Sequence, residues 1–196
     1  MFANRFTAFV DACTLAGALK RNLLLTLAEA DFFRIRWSRP VLDETERAIA
    51  DILRKKGVAD AESKAARAVI CMAEAFEDAE VSGFEPLLSV CEDLPDPGDA
   101  HVIAAALKTQ AAVIVTDNMK HFPPDRLLAL NLEARSADAF IADTIALDPG
   151  RAVAAIRTMR KRLKRPEKTA EIILLDMEAS GLTETVDVLR QHIDSL

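Results

Sequence analysis

Residues 97–118, PGDAHVIAAALKTQAAVIVTDN, indicate the fold class of this chain. The stretch begins with turn-forming residues, continues as an Ala-rich segment typical of a helix, and ends in the unbroken apolar run 112–115. Such a short run, followed at once by polar Thr116, is typical of a strand that is buried on both faces. Strands that alternate with helices indicate an α/β domain with a mostly parallel sheet.

The sequence upstream of this stretch fits the same architecture. The apolar runs 6–10, FTAFV, and 33–37, FRIRW, are both predicted strands. Ser38 and Pro40 then predict a helix start, because serine is a common N-cap and proline suits the first turn. Residues 60–79 predict another helix, since they are rich in alanine and lack proline and glycine.

The residues after 135 carry helix signals and no strand signal. Ser136 and Asp148-Pro149 are helix starts, and a third helix is predicted to start at Pro166 and to end before Gly181. We therefore expect two domains: an α/β domain over 1–135 and an all-helical C-terminal extension over 136–196.

The composition excludes several protein classes. Of the 196 residues 51% are apolar, which is enough for a substantial core. No apolar run approaches the ~20 residues that span a bilayer, and the N-terminus, MFANRFTAFV, is too short and polar for a signal peptide. The cysteines are three in number and lack metal-ligand spacing. We expect a reduced cytoplasmic protein that does not associate with membranes.

The net charge of −6 is unevenly distributed. The segment 151–168 contains eight basic residues and one acid, so it is strongly positive in an acidic chain. Three interpretations stay open: a solvated helix face, a surface for RNA phosphates, or a docking site for an acidic partner. The basic residues that are candidates for RNA contact are Arg157, Arg160, Lys161 and Lys164.

Acidic residues follow the predicted strands. Asp11 ends the first strand, Asp117 and Asn118 end the strand at 112–115, and Asp96 and Asp99 lie in the loop that opens the preceding helix. In a parallel sheet these positions meet at one edge. Clustered carboxylates repel each other unless a cation neutralises them, and Mg²⁺ or Mn²⁺ suits carboxylate oxygens and phosphodiester hydrolysis. Each residue alone is better explained as a cap or turn former, and only the group favours a site.

Four segments together resemble the ordered motifs of PIN-domain nucleases, in particular the VapC-like toxins of type II toxin–antitoxin pairs. The segments are FVDACTL (9–15), SRPVLDETERAI (38–49), DPGDAHVIAAAL (96–107) and VIVTDNMKHFP (113–123). The similarity extends over roughly 5–135. The helical tail resembles the C-terminal extension of some longer VapC-like toxins.

The resemblance implies the site residues one by one. Asp11 matches the acid of the first strand, Glu44 the acid of the following helix, and Asp99 the third acid, which the loop acid Asp96 precedes. Asn118 is in register with the fourth position, and Asp117 stands one residue early, so either residue is a candidate. Two neighbours of Glu44 are alternatives to it, although they point to other faces of the helix: Asp43 and Glu46.

The resemblance also implies the activity. A PIN-like endoribonuclease would use Mg²⁺ or Mn²⁺, arrest growth by cleaving RNA, be restrained by a VapB-like antitoxin, and often form a homodimer. The rival hypothesis is a PIN-fold protein that binds RNA or a partner without cleaving it, which the uncharged Asn118 favours. We interpret His101 as a helix residue near the site and His121 as a loop residue, because the histidines show no zinc spacing.

Overall fold

The computed structural model describes residues 6–91, 95–164 and 166–196. Asp93 of the predicted turn-rich loop and Arg165 of the basic segment lie outside these ranges. The described chain forms two compact units. The first consists of Met1–Gly17 and Arg34–Arg135, and the second of Ala18–Phe33 and Ser136–Leu196. These units differ from the expected domains, 1–135 and 136–196, in the placement of one segment, Ala18–Phe33.

The first unit contains a five-stranded sheet in which every pair of neighbouring strands is parallel. The strand order is β3-β2-β1-β4-β5, so the chain builds outward from β1 in one direction and then in the other. Ligands of such sheets bind beyond the carboxyl ends of the strands where the direction reverses, which here are β1 and β4. The predicted parallel α/β sheet is therefore confirmed. The strands are β1 (Thr7–Val10), β2 (Arg34–Ser38), β3 (Glu80–Val81), β4 (Val113–Val115) and β5 (Glu133–Arg135).

Helices account for most of the remaining described residues. Short 3₁₀ turns occur at Glu77–Ala79, Glu85–Cys91, Pro97–Asp99, Met119–His121 and Ile193–Ser195. The α-helices are α1 (Ala12–Ala16), α2 (Ala18–Glu29), α3 (Arg39–Lys55), α4 (Ala61–Ala75), α5 (Ala100–Lys108), α6 (Pro124–Ala129), α7 (Ala137–Leu147), α8 (Pro149–Arg162), α9 (Ala170–Ala179) and α10 (Thr183–Arg190). Within the described ranges none of them is both long and apolar enough to cross a membrane.

Burial in the first unit follows the predicted apolar pattern. All three residues of β4 are buried, and the apolar stretch 102–106 of α5 is completely buried. Trp37 on β2 is also fully buried, with its ring edge-on to Phe76 at 6.0 Å between centroids. Trp37 is therefore a core residue. Ser38 precedes α3 as expected, but its hydroxyl makes no capping hydrogen bond.

The described residues of the second unit form helices and their connections, with one isolated antiparallel bridge between Lys164 and Glu167. On α2 the side chains of Leu23, Leu24 and Leu27 are fully buried, and α2 packs against α7 and α8. The Phe33 and Phe140 rings meet edge to face with their centroids 4.9 Å apart. A leucine-rich helix such as α2 must bury its apolar surface against other apolar elements. Here α7 and α8 cover it, which is why α2 belongs to this unit.

Two of the three predicted helix starts after 135 are confirmed by their caps. The Ser136 hydroxyl accepts a hydrogen bond from the Ala139 N–H at 3.2 Å, and the Asp148 carboxylate accepts from the Arg151 N–H at 3.1 Å. The predicted start at Pro166 is wrong. Instead, α9 starts at Ala170, because the Thr169 hydroxyl accepts from the Ile172 N–H at 3.3 Å and caps the helix there.

Candidate active site

Asp11 is fixed at the carboxyl end of β1. Its backbone N–H donates to the Val115 carbonyl at 3.0 Å, which joins the ends of β1 and β4. One carboxylate oxygen accepts from the Ala12 N–H at 2.6 Å, and the other accepts from the Thr116 hydroxyl at 2.7 Å. With only 5% of its surface exposed, Asp11 is a buried acid held in one orientation.

Thr116 is the residue that links Asp11 to the next loop. Besides donating to Asp11, its hydroxyl oxygen accepts from the Asn118 N–H at 3.1 Å. Its own backbone N–H donates to the Arg135 carbonyl at 2.9 Å, which ties it to β5. This role of Thr116 was not predicted from the sequence, although the position of a polar residue directly after a buried strand could have indicated it.

Asp96 and Asp99 lie at the start of α5. The Asp96 carboxylate accepts from the Gly98 N–H at 2.8 Å and caps the turn Pro97–Asp99. Asp99 follows on the last residue of that turn, with 19% of its side chain exposed. The loop thus presents two carboxylates, one capping the turn and one directed at His121.

The pKa of Asp99 is raised above its ordinary value of 3.8. Burial is the largest cause, and the negative charges of Asp11 and Asp96 act in the same direction, whereas His121 opposes them. Asp11 and Asp99 therefore lie close enough for their charges to interact, although 88 positions separate them in the sequence. A bound cation would relieve this repulsion.

His121 lies beside the carboxylates of Asp96 and Asp99 and is not only a loop residue. Its Nδ1 lies 2.7 Å from Asp99 Oδ2, 3.5 Å from Asp96 Oδ2 and 2.7 Å from Asn118 Nδ2. Asp96, Asp99 and His121 each offer one ligand atom, and the three atoms lie within 4.8 Å of one another. Interpreting His121 as a loop residue missed this arrangement. His121 follows Asn118 by three residues, which is one 3₁₀ turn, and this spacing could have indicated that the two side chains meet.

The side chain of Glu44 approaches His101, which lies at the start of α5. Glu44 Oε1 lies 3.2 Å from His101 Nε2, without hydrogen-bond geometry, and the Glu44 side chain is 38% exposed. His101 is in the first turn of α5, two residues after Asp99. The alternative acid Asp43 instead pairs with Arg39 at 2.8 Å. The contacts therefore favour Glu44 over Asp43 as the site residue on α3.

Asp117 and Asn118 occupy different surroundings. Asp117 is an exposed residue, and its backbone N–H donates to the Cys13 sulfur at 3.4 Å. Asn118 is half-buried and contacts His121 through its side chain. This geometry supports Asn118 as the occupant of the fourth position.

Replacing Asn118 with alanine is expected to lower RNA cleavage about 5-fold, because a polar contact worth ~1 kcal/mol at His121 is lost. The matched change Asp117→Asn is expected to alter the rate less than about 2-fold, since an exposed charge interacts weakly. Initial rates on one labelled RNA measure both. A larger loss in Asp117→Asn than in Asn118→Ala would assign the fourth position to Asp117.

The four candidate RNA-binding residues all lie in the second unit. Arg157, Lys161 and Lys164 are exposed, whereas Arg160 is half-buried and donates from Nη1 to the Lys168 carbonyl at 2.5 Å. Arg160 therefore has a structural contact within its own unit, and the other three are the stronger candidates for RNA contact.

Cys13 places a thiol beside Asp11. Its sulfur lies 3.1 Å from Asp11 Oδ2 and 3.3 Å from the Thr116 hydroxyl, although the residue as a whole is exposed. Burial of the sulfur and the Asp11 charge raise the pKa of Cys13 from 9.0 to about 11. The thiol is thus protonated at neutral pH and can donate to Asp11.

Alkylation tests this assignment. With a pKa of about 11, only roughly one thiol in a thousand is ionised at pH 8, and the thiolate is the species that reacts. In chelated protein, iodoacetamide is expected to label Cys13 far more slowly than the exposed Cys71, with a rate that rises about 10-fold per pH unit up to pH 10. Peptide mass spectrometry measures both sites. Equal labelling at pH 8 would contradict the raised pKa.

The donor set fits a hard or borderline divalent cation. It consists of the carboxylates of Asp11, Asp96 and Asp99, one imidazole, and the amide of Asn118. Carboxylate and amide oxygens are the ligands that Mg²⁺ and Mn²⁺ take. After burial, the negative charges of Asp11 and Asp96 contribute to the raised pKa of Asp99, as expected where carboxylates cluster.

Comparison with known proteins assigns both parts of the chain. The family model described as "PIN domain" matches residues 7–120, and the one described as "VapC50 C-terminal domain" matches residues 137–191. The chain is 47% identical over 49 residues to a Mycobacterium tuberculosis protein named "Putative ribonuclease VapC50". This similarity covers 25% of the chain and only 29% of that relative. No solved structure matches the chain significantly. Because the first model spans more than half of the sequence, the chain belongs to the PIN domain family and carries a VapC-like C-terminal region.

Proposed function

We propose that this protein is an endoribonuclease, dependent on Mg²⁺ or Mn²⁺, and the toxin of a VapBC-like toxin–antitoxin pair. The observation that carries the proposal is the cluster of Asp11, Asp96, Asp99 and His121 beyond β1 and β4 in a PIN-domain chain. The nuclease region is assigned to 1–135 and the extension to 136–196. The proposed place of action is the cytoplasm, where its RNA substrate is found.

The residues have separate roles in this proposal. A divalent cation, when bound, would supply positive charge that orients a phosphodiester and lowers the pKa of water. Asp11 and Asp99 would hold that cation, and Asp96, Asn118 and Asp117 are further candidates for the metal site. Thr116 fixes the direction of the Asp11 carboxylate through its 2.7 Å hydrogen bond, so the acid is oriented before any ligand arrives.

Glu44 would act from α3. Its carboxylate is partly exposed and lies 3.2 Å from His101, in the first turn of α5. An exposed carboxylate at that position could accept a proton from the attacking water, provided that it stays ionised. His101 is the nearest polar neighbour that the structure gives for this carboxylate, at 3.2 Å.

The partners are inferred from the family and from charge. A VapB-like antitoxin would restrain the enzyme, and the protein would form a homodimer. Exposed Arg157, Lys161 and Lys164 would contact RNA phosphates, and this contact would weaken as salt rises.

Cleavage of RNA by tag-free protein tests the proposal. The protein is purified away from any antitoxin and incubated with Mn²⁺ and a panel of transfer, ribosomal and messenger RNAs. Endonucleolytic cleavage is expected to give internal cuts that appear with both 5′- and 3′-labelled substrates. In cells, induced expression is expected to arrest growth, and Asp11→Asn is expected to relieve the arrest. No cleavage of any RNA together with no relief would refute the nuclease function.

A second candidate function is RNA or partner binding without catalysis. The specific observation in its favour is that the residue in contact with His121 at the fourth position is the uncharged Asn118. A binding protein of this kind would retain RNA equally well in EDTA and would leave it intact.

A further inference from the structure

The side chain of His121 occupies a position that a fourth acid could fill. Its Nδ1 lies between the two loop carboxylates, 2.7 Å from Asp99 Oδ2 and 3.5 Å from Asp96 Oδ2. The His121 side chain as a whole is 23% exposed. Asn118, which stands three residues earlier, brings no charge. His121 is therefore a further donor at this edge, within reach of both loop carboxylates.

The contacts of Nδ1 cannot all be hydrogen bonds at once. A protonated Nδ1 donates to Asp99 but then faces the Asn118 amide, another donor, at 2.7 Å. An unprotonated Nδ1 accepts from Asn118 but then faces the carboxylate of Asp99, another acceptor. With this orientation of the Asn118 amide one contact is unfavourable, and a flip of the amide would relieve it. A cation between the ring and the carboxylates would also resolve the conflict, because the nitrogen lone pair and the carboxylate oxygens would all point to it.

From this geometry we propose that His121 is a ligand of the divalent cation, together with Asp99 and Asp96, and replaces the fourth acid of the site. The inference rests on the proposed metal-dependent function. Asn118 completes the group, since a half rotation of its amide turns the oxygen toward the same point.

A nitrogen ligand changes which cation the site prefers. Imidazole suits first-row transition ions, whereas Mg²⁺ takes oxygen ligands almost exclusively. A site with one imidazole and two carboxylates therefore binds Mn²⁺ or Co²⁺ in preference to Mg²⁺. Replacing His121 with aspartate supplies a carboxylate instead, so it shifts the preference back toward Mg²⁺.

Electron paramagnetic resonance of bound Mn²⁺ tests the proposal directly, because it detects a ligating nitrogen without any assay of activity. The full chain, freed of any affinity tag, is loaded with Mn²⁺, and electron spin echo modulation from nitrogen is recorded. The same measurement is made on His121→Asp, on His121→Ala and on the matched control His192→Gln, which removes a histidine of the second unit. Circular dichroism verifies the fold of each variant. The same measurement on wild-type protein with ¹⁵N-labelled histidine identifies the ligating nitrogen as imidazole, and it requires no substitution.

The expected result is a histidine nitrogen signal in the wild type and in His192→Gln, and no such signal in either His121 variant. His121→Ala is also expected to lower Mn²⁺ affinity about 10-fold or more. Loss of a residue that only orients a metal ligand already costs about that much, and loss of a ligand should cost at least as much. Bound Mn²⁺ without a nitrogen signal, or a signal that persists in the His121 variants, would overturn the role of His121 and leave the nuclease proposal intact. Failure of the wild type to bind Mn²⁺ or Mg²⁺ at all would overturn both.

Discussion

Asp11→Asn is expected to lower the rate of RNA cleavage by about 100-fold or more, because it removes a negative charge from the centre of the site. The variant should still fold. Asparagine keeps one carbonyl oxygen for the Ala12 N–H, which donates to Asp11 at 2.6 Å. The Thr116 hydroxyl loses its acceptor at 2.7 Å, but it can rotate toward another partner. Cleavage is measured as the initial rate on a labelled RNA with saturating Mn²⁺.

Asp60→Asn is the matched control for this change. Asp60 is exposed and has a positive φ of 56°, a conformation that asparagine adopts as readily as aspartate. The control should cleave RNA at the wild-type rate. If Asp11→Asn were equally active while Asp60→Asn behaved as expected, Asp11 would not be a residue of the active site.

Asp138→Ala is expected to lower the free energy of unfolding of the second unit by about 3 kcal/mol, the sum of a lost cap and lost hydrogen bonds to a charged group. Asp138 lies on α7 and is 9% exposed. Its carboxylate accepts from the N–H groups of Glu184 and Thr185 at 2.9 and 2.8 Å and from the Thr183 hydroxyl at 3.3 Å. It thereby caps α10, whose preceding residue Leu182 has no capping side chain.

Hydrogen exchange of α10 separates this local effect from the stability of the whole chain. Amides of α10 in Asp138→Ala should lose protection, while those of β1 and β4 should keep theirs. Asp187→Ala, which removes an exposed carboxylate of α10 itself, is the control and should change stability by less than about 0.5 kcal/mol. Unchanged α10 protection in Asp138→Ala would contradict the capping role.

The sheet could be predicted from the sequence where a strand is a short apolar run with a sharp polar end. Asp11 and Thr116 mark such ends, so β1 and β4 could be assigned correctly. The strand β3 has only two residues, Glu80 and Val81, and is too short to show an alternating pattern. Pro166 was taken for a helix start because proline suits a first turn, but the capping hydroxyl belongs to Thr169.

Packing between segments that are distant in the chain could not be predicted from local sequence patterns. The leucines of α2 indicate burial but not the helices that cover them, so the grouping of Ala18–Phe33 with the helices after 135 could not be predicted. The same holds for Asp138, whose partners on α10 lie 45 to 47 residues away. Side-chain capping across such a distance leaves no periodic signal.

The site was predictable in its acids and not in its histidine. Strand ends and the turn before α5 put Asp11, Asp96 and Asp99 at one edge, as parallel topology requires. The approach of His121 to Asp99 depends on how the turn Met119–His121 folds back after β4. Spacing alone could not distinguish that fold from an outward loop, nor could it decide between Asp117 and Asn118.

The central claim is that an acidic, cation-dependent site cleaves RNA, and the metal dependence of cleavage tests it most directly. Purified protein is dialysed against EDTA, mixed with labelled RNA and assayed before and after addition of Mn²⁺ or Mg²⁺. The account predicts intact RNA in EDTA and internal cleavage once the cation is restored, with Asp11→Asn inactive under both conditions. RNA cleavage that continues at the same rate in EDTA, or binding of RNA without cleavage under every cation condition, would contradict it.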